Sequence, residues 1–391
     1  MRLRNALLPN GAQADLDIVE GRIAAIGALA TSPGETLDLD GALLLPAFVE
    51  GHIHLDKTHW GAPRLAHVPG DSVRERIAIE REARHRVGLP VAARAAALIA
   101  ELIANGTTRA RSHIDIDSDV KLANLEAVLE VREAWRDFID IQLVAFPQSG
   151  IVSEGGAADL LAAALAAGAD VIGGLDPHGF DGDVDGQLDI VFGLAGKYGK
   201  DVDIHLHDGG ETGAAELRAI ADRTQALGMQ GRVAVSHAFA LGELGAAVFE
   251  ATAARLAKAE VSIMTSCPPS VPVPPLKALR ARGVRVFAGS DNIRDCWSPF
   301  GNGDMLDRAA VIAQRLGLVS DADLNIAFAA TTEASDAALG DPRRGLRVGA
   351  VADLVAVRAA SVADAVVDRP QRAFVFRGGR IVARDGICLV P

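Results

Sequence analysis

Val49-Glu50-Gly51-His52-Ile53-His54-Leu55-Asp56-Lys57 is the stretch from which the fold of this chain is read. It follows an apolar run, Ala42 to Phe48, that reads as a buried strand bounded by Gly41 and Pro46. His52 and His54 are two residues apart, so on a strand both imidazoles point to one face. Two neutral imidazoles converging on one point form half of a site for a borderline cation such as Zn²⁺ or Fe²⁺. The wet face of an edge strand also carries such pairs, so the rest of the chain must supply the other ligands.

Downstream of this stretch, short branched strands alternate with Ala/Leu-rich helical patterns, the signature of a parallel sheet built from strand–helix–strand units. Strands are expected at 107–116, 139–146, 170–175, 201–207, 231–237, 260–265 and 284–290, and the strand before His52 makes eight. Helices are expected over Pro90–Ile103, Leu122–Arg136, Ala157–Ala167, Gly213–Ala226 and Leu241–Lys258. Eight such units predict an α/β fold, a (β/α)8 TIM barrel, over residues 49–339. Both ends of the chain are β-rich. Asp15–Val19 and Arg22–Gly27 flank a Glu20-Gly21 turn, and Gly349–Val357 and Ala373–Val382 read as strands, the second with a Gly-Gly turn inside it. A lone hairpin is marginal, so segments 1–48 and 340–391 are expected to meet in one small β-sandwich domain. The rigid Cys267–Pro275 segment is expected to wall a pocket at the strand ends.

Composition narrows the function. The chain has 391 residues, 49% of them hydrophobic and 4% aromatic, with a net charge of −12 and no basic cluster. Nucleic acid and anionic membrane surfaces are therefore not expected as partners. Three widely spaced cysteines argue against a disulfide frame and for a reducing compartment. No apolar leader opens the sequence and no uncharged apolar run reaches about 18 residues, so a cytoplasmic protein outside the membrane is expected.

In a barrel of this kind the chemistry lies at the carboxyl ends of the strands. Those positions carry His52 and His54, His113, Asp115 and Asp117, Gln148, Asp176 and His178, His205-Leu206-His207-Asp208, Ser236-His237, and Ser290-Asp291-Asn292. A hydrolytic metal site needs three or four protein ligands and one open position. His52, His54, His205 and Asp291 meet that need from strands one, five and eight. A cation there acidifies water, and a nearby base must take the proton and pass it to the leaving nitrogen. His237 and His207 are candidates, with Asp208 as a rival. Period two puts His207 on the same side as His205 and Asp208 on the other.

This pattern resembles the amidohydrolase superfamily along the whole chain. Gly51–Thr58, Val144–Gly150 and Ser290-Asp291-Asn292 are similar to the cytosine deaminase branch. Gly173-Gly174-Leu175-Asp176-Pro177, His205–Asp208 and the long Ser290–Met305 segment resemble its isopropylammelide amidohydrolase subgroup. The resemblance implies one divalent metal per chain, with Zn²⁺ ahead of Fe²⁺ and Mn²⁺. Binuclear relatives place a bridging lysine after strand three or four, where this chain has Gln148 and Asp176. It further implies that His52, His54, His205 and Asp291 hold the metal and that His237 orients water and holds charge on the ring. Lys57, Gln148 and Asn292 would contact a small heterocyclic substrate, and Trp297 joins them if it faces the pocket rather than the core. Cytosine deaminases carry a glutamate three residues after the strand-five histidine; Asp208 stands there, which counts against ordinary cytosine deamination. The expected activity is hydrolysis of a non-peptide C–N bond of a nitrogen heterocycle, by deamination or dealkylamination. The alternatives are a cytosine or other pyrimidine or purine deaminase, a cyclic amide hydrolase, and, remotely, a barrel without turnover. The resemblance also implies a homo-oligomer, as relatives in this branch generally are.

Overall fold

The computed structural model describes residues 1–29, 34–340 and 342–390. Eight parallel strands follow one another in chain order around one sheet: Phe48–Ile53, Thr107–Asp115, Asp140–Phe146, Val171–Leu175, Asp201–Leu206, Val233–His237, Ser262–Thr265 and Val286–Ala288. A parallel bridge between Ile53 and Asp291 closes the ring from the last strand back to the first. Close approach makes this closure possible. A Cβ on Gly289 would lie 2.5 Å from the His52 Cβ and 2.6 Å from its backbone nitrogen. Glycine lets the two backbones touch there.

Helices Val91–Ala104, Ala123–Trp135, Ala157–Ala167, Val184–Tyr198, Gly210–Ala226, Ala246–Lys258 and Met305–Leu316 lie among the crossovers. Their apolar stripes, such as Leu98, Ile99, Leu102 and Ile103 of the first, pack on the outside of the sheet in one continuous core. Among the described residues no single helix is long and apolar enough to cross a membrane. One pair, Val73–Arg86 with Val91–Ala104, passes that test only when joined across a 102° bend.

The two ends of the chain share a nine-stranded sheet with its own buried layer, including Leu3, Leu16, Ile23, Leu44, Leu354 and Phe376. Its halves meet where Leu43–Pro46 pairs antiparallel with Leu354–Val357. The apolar run before His52 is thus two strands rather than one. The Ala47 N–H donates to Asp353 in the terminal sheet, and the Phe48 N–H donates to Gly106 in the barrel. Both strands are buried, so the sequence shows no period that marks the switch. The C-terminal segment also returns to the barrel, where Val362–Asp368 packs on Met305–Leu316 and Asp321–Ala330.

One helix absent from the sequence reading matters for the site. Val73–Ala83 is capped by the Ser72 side chain, which accepts from the Glu75 N–H at 3.2 Å. It lies across the carboxyl ends of the strands, with Arg81 donating to Ser149 Oγ at 2.6 Å and Arg84 paired with Asp119 at 3.1 Å.

Candidate active site

The first, fifth and eighth strands bring together four side chains that can hold a cation. His52, at a strand end, and His54, just beyond it, meet His205 and Asp291, with one ligand atom of each within 4.8 Å of all the others. The Asp291 Oδ1 atom lies 3.5 Å from His52 Nε2 and 3.3 Å from His54 Nε2. His52 Nε2 and both ring nitrogens of His205 are buried without a hydrogen-bond partner among the described residues. Each such group costs about 1–3 kcal/mol unless something meets it, and a cation at the shared point does so.

Protonation states fit that occupant. Burial pushes His54 down to about 4 and His205 well below its usual value, the neighbouring imidazoles adding to the effect. Burial alone would raise Asp291, yet His237, His52 and His54 around it hold its carboxyl well below the usual range. Neutral imidazoles around an ionised carboxylate are the state in which such side chains bind a divalent ion.

Behind His52 runs a buried chain of hydrogen bonds. His52 Nδ1 lies 2.9 Å from Ser236 Oγ, which donates to Asp203 Oδ1 at 2.7 Å, and Arg111 donates to Asp203 Oδ2 at 2.8 Å. Such partners fix the ring and its tautomer, so that Nε2 is left free toward the point shared with His54, His205 and Asp291. Asp203 and Arg111 escaped the sequence reading, although both lie two residues before a strand-end histidine and therefore on its face. The His113 ring stacks on that of His52 at 3.8 Å, with both nitrogens unpartnered among the described residues.

The acid–base candidates take separate positions. His237 ends the sixth strand with its Nδ1 3.9 Å from Asp291 Oδ2. The ring of His207 stacks on His237 at 4.5 Å, and its Nδ1 lies 2.8 Å from Asp176 Oδ2. Burial opposes charge on His207, but Asp176 outweighs it and raises the imidazole above its usual value. With Nδ1–H donated to Asp176, the His207 Nε2 is left to exchange protons. Asp208 points elsewhere: its carboxylate accepts from the Gly179 N–H at 2.7 Å and shares a hydrogen bond with Glu216. His237, Asp176 and Asp291 all sit at positive φ (74°, 35° and 63°) at strand ends. That conformation costs of order 1–3 kcal/mol per residue.

A cavity beside these four side chains is lined by His54, His205, His207, His237 and Asp291, and also by Lys57, Gln148, Asn292 and Trp297. Lys57 Nζ lies 3.1 Å from Asp115 Oδ1 and 3.5 Å from Glu80 Oε2. Burial alone would lower the ammonium, but Asp115, Glu80 and Asp56 raise it and keep it charged. Asn292 Nδ2 donates to Asp295 at 2.7 Å. Trp297 joins Val73, Ile77, Phe146, Leu175 and Phe180 in an apolar cluster, of which Val73, Phe146, Leu175 and Trp297 line the cavity. Phe300 is 78% exposed. The Cys267–Pro275 segment does not line this cavity, a correction to the sequence reading. Val273 of that segment packs instead against Gly242. Glu80, which the sequence reading missed with its helix, accepts from Gln148 Nε2 at 3.2 Å and from the Trp297 indole.

With this geometry in place, comparison with known proteins gives a consistent answer. The chain belongs to the amidohydrolase family, whose model matches residues 35–383. It is 33% identical over 401 residues to N-isopropylammelide isopropyl amidohydrolase of Pseudomonas sp. (strain ADP), covering 98% of this chain and 97% of that protein. Its fold matches N-isopropylammelide isopropylaminohydrolase from Burkholderia multivorans with a TM-score of 0.96 and 44% identity over 99% of each chain. It also matches 5-methylcytosine deaminase from Klebsiella pneumoniae, solved with 5-fluorocytosine, with a TM-score of 0.88 and 29% identity over 98% of this chain and 97% of that one.

Proposed function

We propose that this member of the amidohydrolase family hydrolyses an exocyclic C–N bond of a small nitrogen heterocycle, with one divalent cation held by His52, His54, His205 and Asp291. The observation that carries the reading is the convergence of those four side chains on one point beside the His207–Asp176 pair. Amidohydrolases are metal-dependent hydrolases, and relatives across the whole length act on heterocycles. The finer choices are one metal rather than two, and Zn²⁺ as the ion. Both rest on the ligand types and on Gln148 and Asp176 standing where a bridging lysine would be.

Held by His52, His54, His205 and Asp291, a divalent ion would lower the pKa of water and polarise the bond under attack. The residues do the rest. His207 Nε2 takes a proton from the attacking water and delivers it to the departing nitrogen, while Asp176 holds the ring in register. His237 faces the reacting carbon from the ring stacked on His207 and holds the charge that develops there. Lys57, Gln148 and Asn292 grip the ring, and Trp297 covers it. Atoms balance as ring–NHR plus water to ring–OH plus RNH₂.

Two relatives act on N-isopropylammelide by name, which favours an alkylamino-s-triazine as substrate. Deamination of a pyrimidine is the second reading, favoured by the resemblance to 5-methylcytosine deaminase and opposed by Asp208 at the glutamate position. Release of isopropylamine from N-isopropylammelide, measured beside ammonia release from cytosine and 5-methylcytosine, separates the two. Faster turnover of either pyrimidine than of the triazine overturns the first. Residues 1–48 with 340–391 as a separate domain, a homo-oligomeric state and a cytoplasmic location complete the proposal.

A further inference from the structure

We propose that Glu80, on the helix Val73–Ala83, is a positioning residue that sets the hydrogen-bonding face shown to the substrate ring. The inference rests on the reading of this cavity as the ring site. Three side chains meet one oxygen of Glu80. Gln148 Nε2 donates to Oε2 at 3.2 Å, the Trp297 indole N–H donates to the same atom, and Lys57 Nζ lies 3.5 Å from it. All three donors line the cavity.

Each contact has a chemical consequence. Because the Gln148 amide gives its NH₂ to Glu80, its Oε1 is left as an acceptor. Because Lys57 is held between Glu80 and Asp115, its ammonium is a fixed donor beside that acceptor. The Trp297 N–H bond fixes the indole plane, a flat wall for a planar ring. An acceptor next to a donor under an aromatic wall matches a ring edge with N–H beside C=O, the lactam edge of an oxidised azine. Without the carboxylate, the Gln148 amide is free to turn over and present its NH₂ instead.

This role separates from helix stability. The helix is tied down by the Ser72 cap, by Arg76 to the Gly70 carbonyl at 3.0 Å and by Arg81 to Ser149. None of these contacts involves Glu80.

The test uses Glu80→Gln, which keeps size and removes charge, and Glu80→Asp as the conservative variant, both in the full-length protein. Isopropylamine release from N-isopropylammelide should show KM raised about tenfold in Glu80→Gln with kcat within about threefold, and partial recovery in Glu80→Asp. Metal content per chain should be unchanged. In a Trp60→Phe/Trp135→Phe background, where Trp297 is the sole tryptophan, Glu80→Gln should shift its emission to the red and raise quenching by acrylamide. Unchanged KM and unchanged Trp297 emission in Glu80→Gln overturn the inference while leaving the hydrolase reading intact. No amine release by the native protein overturns that reading, and the Trp297 emission still decides whether Glu80 holds the indole.

Discussion

The backbone N–H of Asp291 donates to the carbonyl oxygen of His52 at 2.8 Å. This bond joins the two ends of the barrel sheet and places a carboxylate from after the eighth strand beside the imidazoles of the first. Barrel closure and the convergence of the proposed ligand set therefore share one seam.

Gly289→Ala tests that link. The new methyl would press on His52 at 2.5 Å, and overpacking of this kind costs about 1–3 kcal/mol. Both Tm and metal affinity should fall together, read by calorimetry and by competition with a chromogenic chelator. A drop in Tm with native metal affinity would show that seam and site are separable.

Ser236→Ala removes the partner of His52 Nδ1 and leaves every ligand in place. Loss of such a partner weakens metal binding about 10–100-fold. Titration of the apo-protein with Zn²⁺ measures it, and affinity equal to the native protein's would remove the His52–Ser236–Asp203 chain from the account.

His207→Asn and Asp176→Asn should lower kcat by about 10²–10⁴-fold with metal content unchanged, the loss expected for a positioned acid–base group. Asp208→Asn should cost less than about tenfold, since its carboxylate serves the Gly179 N–H instead. Single-turnover assays under saturating substrate distinguish the three. A larger loss in Asp208→Asn than in His207→Asn would exchange their roles.

The sequence carried most of this site because period two operates at strand ends. Once His52, His54, His205 and Asp291 were placed after strands one, five and eight, their convergence followed from barrel topology. The same rule favoured His207 over Asp208, and the structure places His207 in the cavity and Asp208 outside it. It was less informative where burial erased the pattern. The run Ala42–Phe48 is apolar on both faces, so its division between two sheets left no trace. Glu80 was lost for another reason: Val73–Ala83 is rich in Arg and Glu, and its short apolar face, Val73, Ile77 and Ala83, is broken by the buried Glu80, so no continuous apolar stripe marks the helix.

Glu216 offers a test of electrostatics away from the ligands. Burial, with Asp208 and Asp176 nearby, pushes its carboxyl up to about 8 despite the His178 N–H that it accepts at 2.8 Å. A carboxyl raised above its unfolded value of about 4.3 stabilises the fold fully below that pH and loses the contribution as pH climbs toward 8. Glu216→Gln mimics the protonated form, so its Tm should exceed the native value by about 2 °C or more at pH 8, with the gap closing toward pH 5. Equal or lower Tm at pH 8 would contradict the raised carboxyl.

The central claim is a single-cation hydrolase, and metal content read together with turnover tests it most directly. Metal per chain is measured on native protein purified without chelator and on Asp291→Ala, each assayed for isopropylamine release from N-isopropylammelide. The account predicts about one ion per native chain, with metal and release lost together in the variant. Two ions per native chain, or undiminished release from metal-free protein, would contradict it.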